Sequence, residues 1–203
     1  ACLEPAEFEN QYTISPYGAR NAAGYKAWAK EQTKKILLPR DYDNVIGMQE
    51  SIYTHATAST LLWDVEPEHF EYSCYAIDPE TGALVRIRMD ALTSGGWIVD
   101  VKKTQDASPE GAAKTIANYG YYHQAAMYTD VLTIASGQPP AGFAFIFVEE
   151  QYPHAVAVYC LRDEDIYRGR MMYRRNLQLY VECLAENKWP GYGEGAAYID
   201  LPV

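Results

Sequence analysis

Val85-Arg86-Ile87-Arg88-Met89-Asp90 and, after a short turn, Trp97-Ile98-Val99-Asp100-Val101-Lys102-Lys103 decide how the rest of the chain is read. Both stretches alternate apolar and polar residues with period two, the pattern of a half-buried strand. Val85, Ile87 and Met89 share one face of the first arm, and Arg86, Arg88 and Asp90 the other. In the second arm the alternation sends Trp97, Val99 and Val101 to a core and leaves Ile98, Asp100 and Lys102 on the face expected to hold Arg86, Arg88 and Asp90. Thr93-Ser94-Gly95-Gly96 supplies turn residues between them, so the pattern predicts a hairpin.

In a register that puts Asp90 and Asp100 on one face, the two carboxylates occupy opposed or diagonal cross-strand positions, roughly 5 to 8 Å apart. Carboxylates that close repel, and a hard divalent cation with oxygen ligands relieves the repulsion without protonating either. Lys102 shares the face of Asp100 and is placed to hold a water or a phosphate oxygen beside such a cation. A metal-bound water is more acidic than free water, and the cation neutralises charge on phosphoryl oxygens, so the pattern outlines a nuclease site. By itself an Asp-x-Lys on a strand is more often a solvated face. Arg86 and Arg88 on the paired arm shift the balance, because guanidinium groups suit phosphates.

Three ordered elements, Asp90, then Asp100-Val101-Lys102, then Gln124-Ala125-Ala126-Met127-Tyr128, resemble the motifs of the PD-(D/E)xK nucleases in the branch that adds a Q-x-x-x-Y helix. Together with Leu3-Glu4-Pro5-Ala6-Glu7-Phe8 and Asp78-Pro79-Glu80-Thr81-Gly82, they resemble the nuclease domain of exonuclease VIII, the RecE-like recombination exonucleases, through nearly the whole chain. The resemblance implies Mg²⁺, with Mn²⁺ as a substitute, held by Asp90, Asp100 and the backbone carbonyl of Val101. It implies that Lys102 orients the attacking water, that Gln124 and Tyr128 serve the site, and that Gln124 with Arg86 or Arg88, and Lys103, seats the DNA. It further implies digestion of linear double-stranded DNA from its ends, 5′ to 3′, leaving 3′ single strands. The partners implied are a ring-shaped homotetramer and a single-strand annealing recombination protein. In that family a metal-binding histidine precedes the L-E-P segment. The sequence opens at Ala1, two residues before Leu3, and without an initiating methionine, so it reads as a fragment lacking that ligand. His55 is a weaker substitute, its place among the motifs being different. The missing ligand keeps two alternatives open: a catalytically impaired DNA-end-binding or assembly module, and a structure-selective endonuclease with the same metal core.

The length of 203 residues suits a single domain with a sizeable core, residues 189–203 forming a tail. A composition 48% hydrophobic and 22% charged is that of a globular protein. There is no apolar run of about 18 residues and no secretory signal pattern, which argues against a membrane span. Cys2, Cys74, Cys160 and Cys183 form no C-x-x-C pair, so a reducing cytoplasm is expected rather than a zinc or disulfide framework. The net charge of −10 opposes DNA binding unless the basic residues cluster. They do, at Lys26, Lys30, Lys34, Lys35 and Arg40 and again at Arg168, Arg170, Arg174 and Arg175, and an acidic exterior with a basic channel is expected.

The remaining pattern predicts a helix over 22–38 stopped by Pro39, then a second helix capped by Asp41 or Asp43 and carrying Val45, Met48, Ile52 and Leu61-Leu62. A strand is expected at Phe70–Ile77, and the turn at 78–82 leads into the hairpin. Ser108-Pro109-Glu110 opens a helix expected to reach about Ser136, with Gln124, Tyr128, Gly120 and Tyr121 on one face and His123 in packing. Phe143–Val148 reads as a strand buried on both faces, 155–161 as another, and Asp163-Glu164-Asp165 as the start of a last helix. The eighteen tyrosines fit core or subunit contacts, and none is singled out for base stacking. The architecture expected is α/β, a restriction-endonuclease-like mixed sheet of about five strands flanked by helices.

Overall fold

In the computed structural model, residues 5–191, 195, 196 and 198 are described; Leu3-Glu4, Cys2 and most of the 189–203 tail lie outside them. The strand at the centre of the packing is β6 (Gly142–Glu149), whose residues Phe143 to Val148 are all buried. Phe143, Phe145 and Phe147 point into one core, and Ile146 and Val148 into another. That two-sided burial is what a run of alternately packed apolar residues requires.

Four more strands complete the sheet: β3 (Phe70–Ile77), β4 (Leu84–Leu92), β5 (Trp97–Thr104) and β7 (Val156–Cys160). Their order is β3-β4-β5-β6-β7, all neighbours antiparallel except the parallel pair β5 and β6. The parallel step needs a crossover, supplied by two helices, α5 (Pro109–Tyr119) and α6 (Tyr121–Ser136). With α7 (Asp163–Glu186) they cover the face of Phe143, Phe145 and Phe147. The helices α3 (Pro39–Thr54) and α4 (Ala56–Trp63) cover the other face through Met48, Ile52, Ala58 and Leu62. The expected mixed α/β sheet of five strands with helices on both sides is therefore the observed fold. No helix among the described residues is long and apolar enough to cross a membrane.

Ahead of the sheet stand α1 (Pro5–Gln11), β1 (Tyr12–Ile14), α2 (Tyr25–Lys30) and β2 (Lys35–Leu37). The helix expected over 22–38 is thus only six residues long, and Ile36-Leu37 joins a parallel two-stranded ribbon with β1. Gly24, at φ 85°, sets the start of α2. Pro39 begins a helix instead of ending one. It holds the first position of α3, and Leu38 before it is extended at ψ 153°, as the residue preceding proline prefers. The second expected helix is two, parted at His55, whose Nδ1 accepts the Ala58 N–H at 3.2 Å and caps α4. His55 is thereby a helix cap and not a member of the carboxylate site.

The helix expected from 108 to about 136 is also two. Ser108 caps α5 by accepting the Gly111 N–H, as its sequence implies, but Gly120 adopts φ 66°, ψ 30° and ends the helix. Only glycine takes that left-handed conformation at little cost, and α6 restarts at Tyr121 in a new direction.

Strict alternation in the hairpin also fails. Met89 packs on the α6 side while Ala91 packs on the α3 and α4 side, and across the ladder Tyr72 and Phe70 divide in the same way. Between them lie Glu71, at φ 50°, and Asp90. The paired strands change faces there, so Arg86 and Arg88, which alternate with Val85, Ile87 and Met89, do not share the face of Asp90. Ile98, expected on the polar face, is buried, because both faces of β5 are covered.

Candidate active site

The β4 to β5 register pairs Ala91 with Val99 and Leu92 with Ile98, and just beyond those pairs the Asp90 and Asp100 carboxylates are close enough to repel each other. The Val101 N–H donates to Asp90 Oδ2 at 2.7 Å, fixing the Asp90 carboxylate against the neighbouring strand. Asp100 is only 1% exposed. The Lys102 ammonium lies against its Oδ1, and Gln124 Nε2 donates to its Oδ2. Lys102 Nζ also donates to Gln124 Oε1 at 3.1 Å and sits 4.3 Å from the centre of the Tyr121 ring. Strand β5 thus supplies Asp100 and Lys102 two residues apart on one face. The first turns of α6, redirected by Gly120, bring Tyr121 and Gln124 down onto them.

Burial dominates the electrostatics. It pushes the Asp90 carboxyl up to about 6, with the charges of Asp100 and then Glu71 adding to the rise and the Val101 N–H and Lys102 opposing it. Burial raises Asp100 as well, against the pull of Lys102 and Gln124. Glu71, passed over in the sequence, acts on both aspartates. Its carboxylate meets Arg88 Nη2 at 2.5 Å. A left-handed glutamate in a strand leaves no sequence trace. Its only readable sign is its position across the ladder from Asp90.

The residues named from sequence divide accordingly. Asp90, Asp100, Val101, Lys102 and Gln124 come together. Tyr128 instead packs in the core, its ring 6.3 Å from that of Phe143. Arg86 lies over the Tyr75 ring at 5.8 Å, and Arg88 reaches the site only through Glu71. Lys103 is exposed and pairs with Glu150 at 3.0 Å.

Two neighbouring carboxylates, both raised by burial and one by direct repulsion, form a donor set that gains from sharing a hard cation. Asp100 Oδ1 is buried and accepts no hydrogen bond of regular geometry, despite its contact with the Lys102 ammonium. Among the described residues no three His, Cys, Asp or Glu side chains converge as a ready cluster. The oxygen donors of Asp90 and Asp100 would fit a hard divalent cation such as Mg²⁺.

No curated protein matches the chain significantly in sequence. Among solved structures, one from Eubacterium rectale described as a "putative exonuclease" is similar at a TM-score of 0.55 and 15% identity, over 82% of this chain and 62% of that one. The chain thus spans less than two thirds of that protein's length, and the likeness is one of fold. A second structure, SSO0001, is 13% identical over 78% of this chain and 69% of that one at a TM-score of 0.36, too low to bear on the fold. The family model described as "PDDEXK-like domain of unknown function (DUF3799)" matches residues 1–202. With the mixed sheet and the neighbouring aspartates already in view, that match shows that the chain belongs to the DUF3799 family of PDDEXK-like domains.

Proposed function

We propose that this chain is a Mg²⁺-dependent nuclease that digests linear double-stranded DNA from its ends, in the manner of the RecE-like exonucleases its motifs resemble. One observation carries the reading: the Asp90 carboxylate, held by the Val101 N–H, and the buried Asp100 lie close enough to repel, with the Lys102 ammonium against Asp100. Asp90, Asp100 and the Val101 carbonyl would hold the ion, Mn²⁺ serving in place of Mg²⁺. When bound, such an ion acidifies an attacking water and neutralises charge on the phosphoryl oxygens. Lys102 is the positive partner of Asp100. With a cation on that carboxylate, the Lys102 ammonium would be available to hold a water and a phosphate oxygen. The Gln124 carbonyl and the Tyr121 ring keep it in place meanwhile. Burial of Asp100 and the apolar floor of Phe145 and Ile98 exclude bulk water, which strengthens each of these interactions.

Polarity of 5′ to 3′, release of 3′ single strands, a ring-shaped homotetramer and a single-strand annealing partner extend the proposal on the strength of the motif resemblance. Incubating end-labelled linear duplex and covalently closed circular DNA with Mg²⁺, and again with chelator, tests it. Loss of linear substrate with Mg²⁺ alone is the expected result. Cleavage of closed circles would replace the exonuclease by an endonuclease on the same core. A second reading, a DNA-end-binding module without catalysis, draws on the absence of a third converging ligand among the described residues. Binding of duplex ends without product in either condition would establish it.

A further inference from the structure

The break at Gly120 has a geometric result beside the carboxylates. In an uninterrupted helix, residues two apart project about 200° from one another. Tyr119 closes α5 and Tyr121 opens α6, and the left-handed glycine between them turns their rings into a stacked pair, centroids 5.7 Å apart and planes 19° from parallel. Tyr121 is anchored from beneath by the buried Phe145, at 6.0 Å and 29°. Tyr119 is 74% exposed. The three rings form a ladder from the core to the solvent, and its middle rung carries the Lys102 ammonium at 4.3 Å.

The same two tyrosines line an open groove of about 570 Å³, which adjoins the site through Tyr121 and is walled as well by Lys103, Lys114, Asp106 and Glu150. Its volume lies in the range of ligand clefts, about 300 to 1,000 Å³. A large aromatic ring left this exposed contributes little to folding, whereas a flat ring beside a phosphate-handling centre is what an unpaired base needs, since each base has a π face whatever its sequence. A duplex end must also be unpaired before its terminal phosphodiester can enter a narrow site. Lys114 stands along the groove where a strand's phosphates would run, while Lys103 on the same wall is paired with Glu150.

We propose that Tyr119, supported by Tyr121, is a stacking platform that holds an unpaired base of the strand next to the phosphodiester being cut. The proposal rests on the nuclease reading and adds a binding subsite for a nucleobase to it. The platform is sequence-tolerant, because stacking selects a ring and not a hydrogen-bond pattern.

The test uses the full chain in chelator, where binding is read without digestion, and a linear duplex whose terminal base is replaced by 2-aminopurine. Stacking on an aromatic ring quenches that fluorophore. Wild-type protein is expected to quench it, and Tyr119→Ala is expected to relieve the quenching and weaken binding about tenfold, within the range found for removal of base stacking. Tyr119→Trp should retain both. Exposure of Tyr119 makes Tyr119→Ala harmless to the fold, which an unchanged melting temperature verifies. A wild type that digests DNA with Mg²⁺ while Tyr119→Ala binds and quenches as the wild type does would overturn the platform and leave the nuclease reading standing. A wild type that neither binds in chelator nor digests with Mg²⁺ would overturn both.

Discussion

Asp90 and Asp100 answer to different tests because their environments differ. Asp100 is held by Lys102 and Gln124 and stands at the centre of the proposed chemistry, so Asp100→Asn is expected to lower Mg²⁺-dependent digestion by about a thousandfold or more. Its circular dichroism should match the wild type. Digestion at the wild-type rate would remove Asp100 from the site. Asp90 is the better probe of electrostatics. Its carboxyl rises from 3.8 to about 6, so between those pH values the folded protein keeps a proton that the unfolded chain has given up. Stability without metal therefore falls as pH rises through that window and levels off above it. A shift of that size corresponds to a loss on the order of 3 kcal/mol. Asp90→Asn should flatten this fall and leave the variant more stable than the wild type near pH 7.5 in chelator, as measured by thermal melting. Mg²⁺ should then raise the melting temperature of the wild type and not of the variant. Glu71 and the arginines show where sequence falls short at this scale. Period two groups Asp90 with Arg86 and Arg88, and the carboxylate lies beside Asp100 only because that alternation breaks after Met89. The pattern misplaces Arg86 and Arg88, because the strands change faces at Glu71, and a glutamate at φ 50° is held by its surroundings and not by its own preference.

Among the elements, those whose burial is one-sided or complete were readable. The alternation of β4 as far as Met89 and the unbroken apolar run of β6 follow from what each segment must bury, and the acidic start of α7 from the positive end of its dipole. Segments governed by one residue's backbone were not. A six-residue α2 and a three-residue β2 bury too little to show a period, and the break between α5 and α6 depends on a single glycine set in an otherwise helical pattern. That glycine is testable. A side chain at residue 120 would carry an unfavourable left-handed φ, and its Cβ would come 3.0 Å from His123 Nδ1. Gly120→Ala should cost about 1 to 2 kcal/mol of stability, the ordinary penalty for a left-handed L-residue, with the crowding at His123 placing it toward the upper end. Because α6 carries Gln124 and Tyr121, the same variant should lose activity beyond what its melting temperature explains. Equal activity at a temperature where both proteins are folded would separate the helix break from the site.

At the scale of the whole molecule, a net charge of −10 has to coexist with the polyanionic substrate proposed above, and the distribution of cations decides whether it can. The cluster Arg168, Arg170, Arg174 and Arg175 divides by helical spacing, with Arg168 and Arg175 seven apart on one face of α7 and Arg170 and Arg174 in another row. Arg170 makes a two-pronged contact with Asp130 of α6, at 2.7 Å through Nη2, and Tyr173 donates to the same carboxylate. Arg174 is bound to the buried Asp78, which also organises the 78–82 turn through the Thr81 N–H and hydroxyl. Arg170 fastens α7 to α6 and Arg174 fastens it to the turn after β3, and neither lends charge to a ligand, whereas Arg168 and Arg175 belong to neither ion pair. Arg170→Ala is therefore expected to lower stability by about 1 to 2 kcal/mol, the cost being limited because Asp130 keeps the Tyr173 hydroxyl. It should leave the salt dependence of DNA binding unchanged. Removing Arg168 or Arg175 should do the reverse if α7 borders the DNA: little change in melting, and a salt slope shallower by about one unit for each phosphate no longer neutralised. Binding isotherms in chelator at several salt concentrations distinguish the two. A slope altered by Arg170→Ala and untouched by the others would mean that the substrate lies on the α6 side of this helix pair, displacing Asp130 from its arginine.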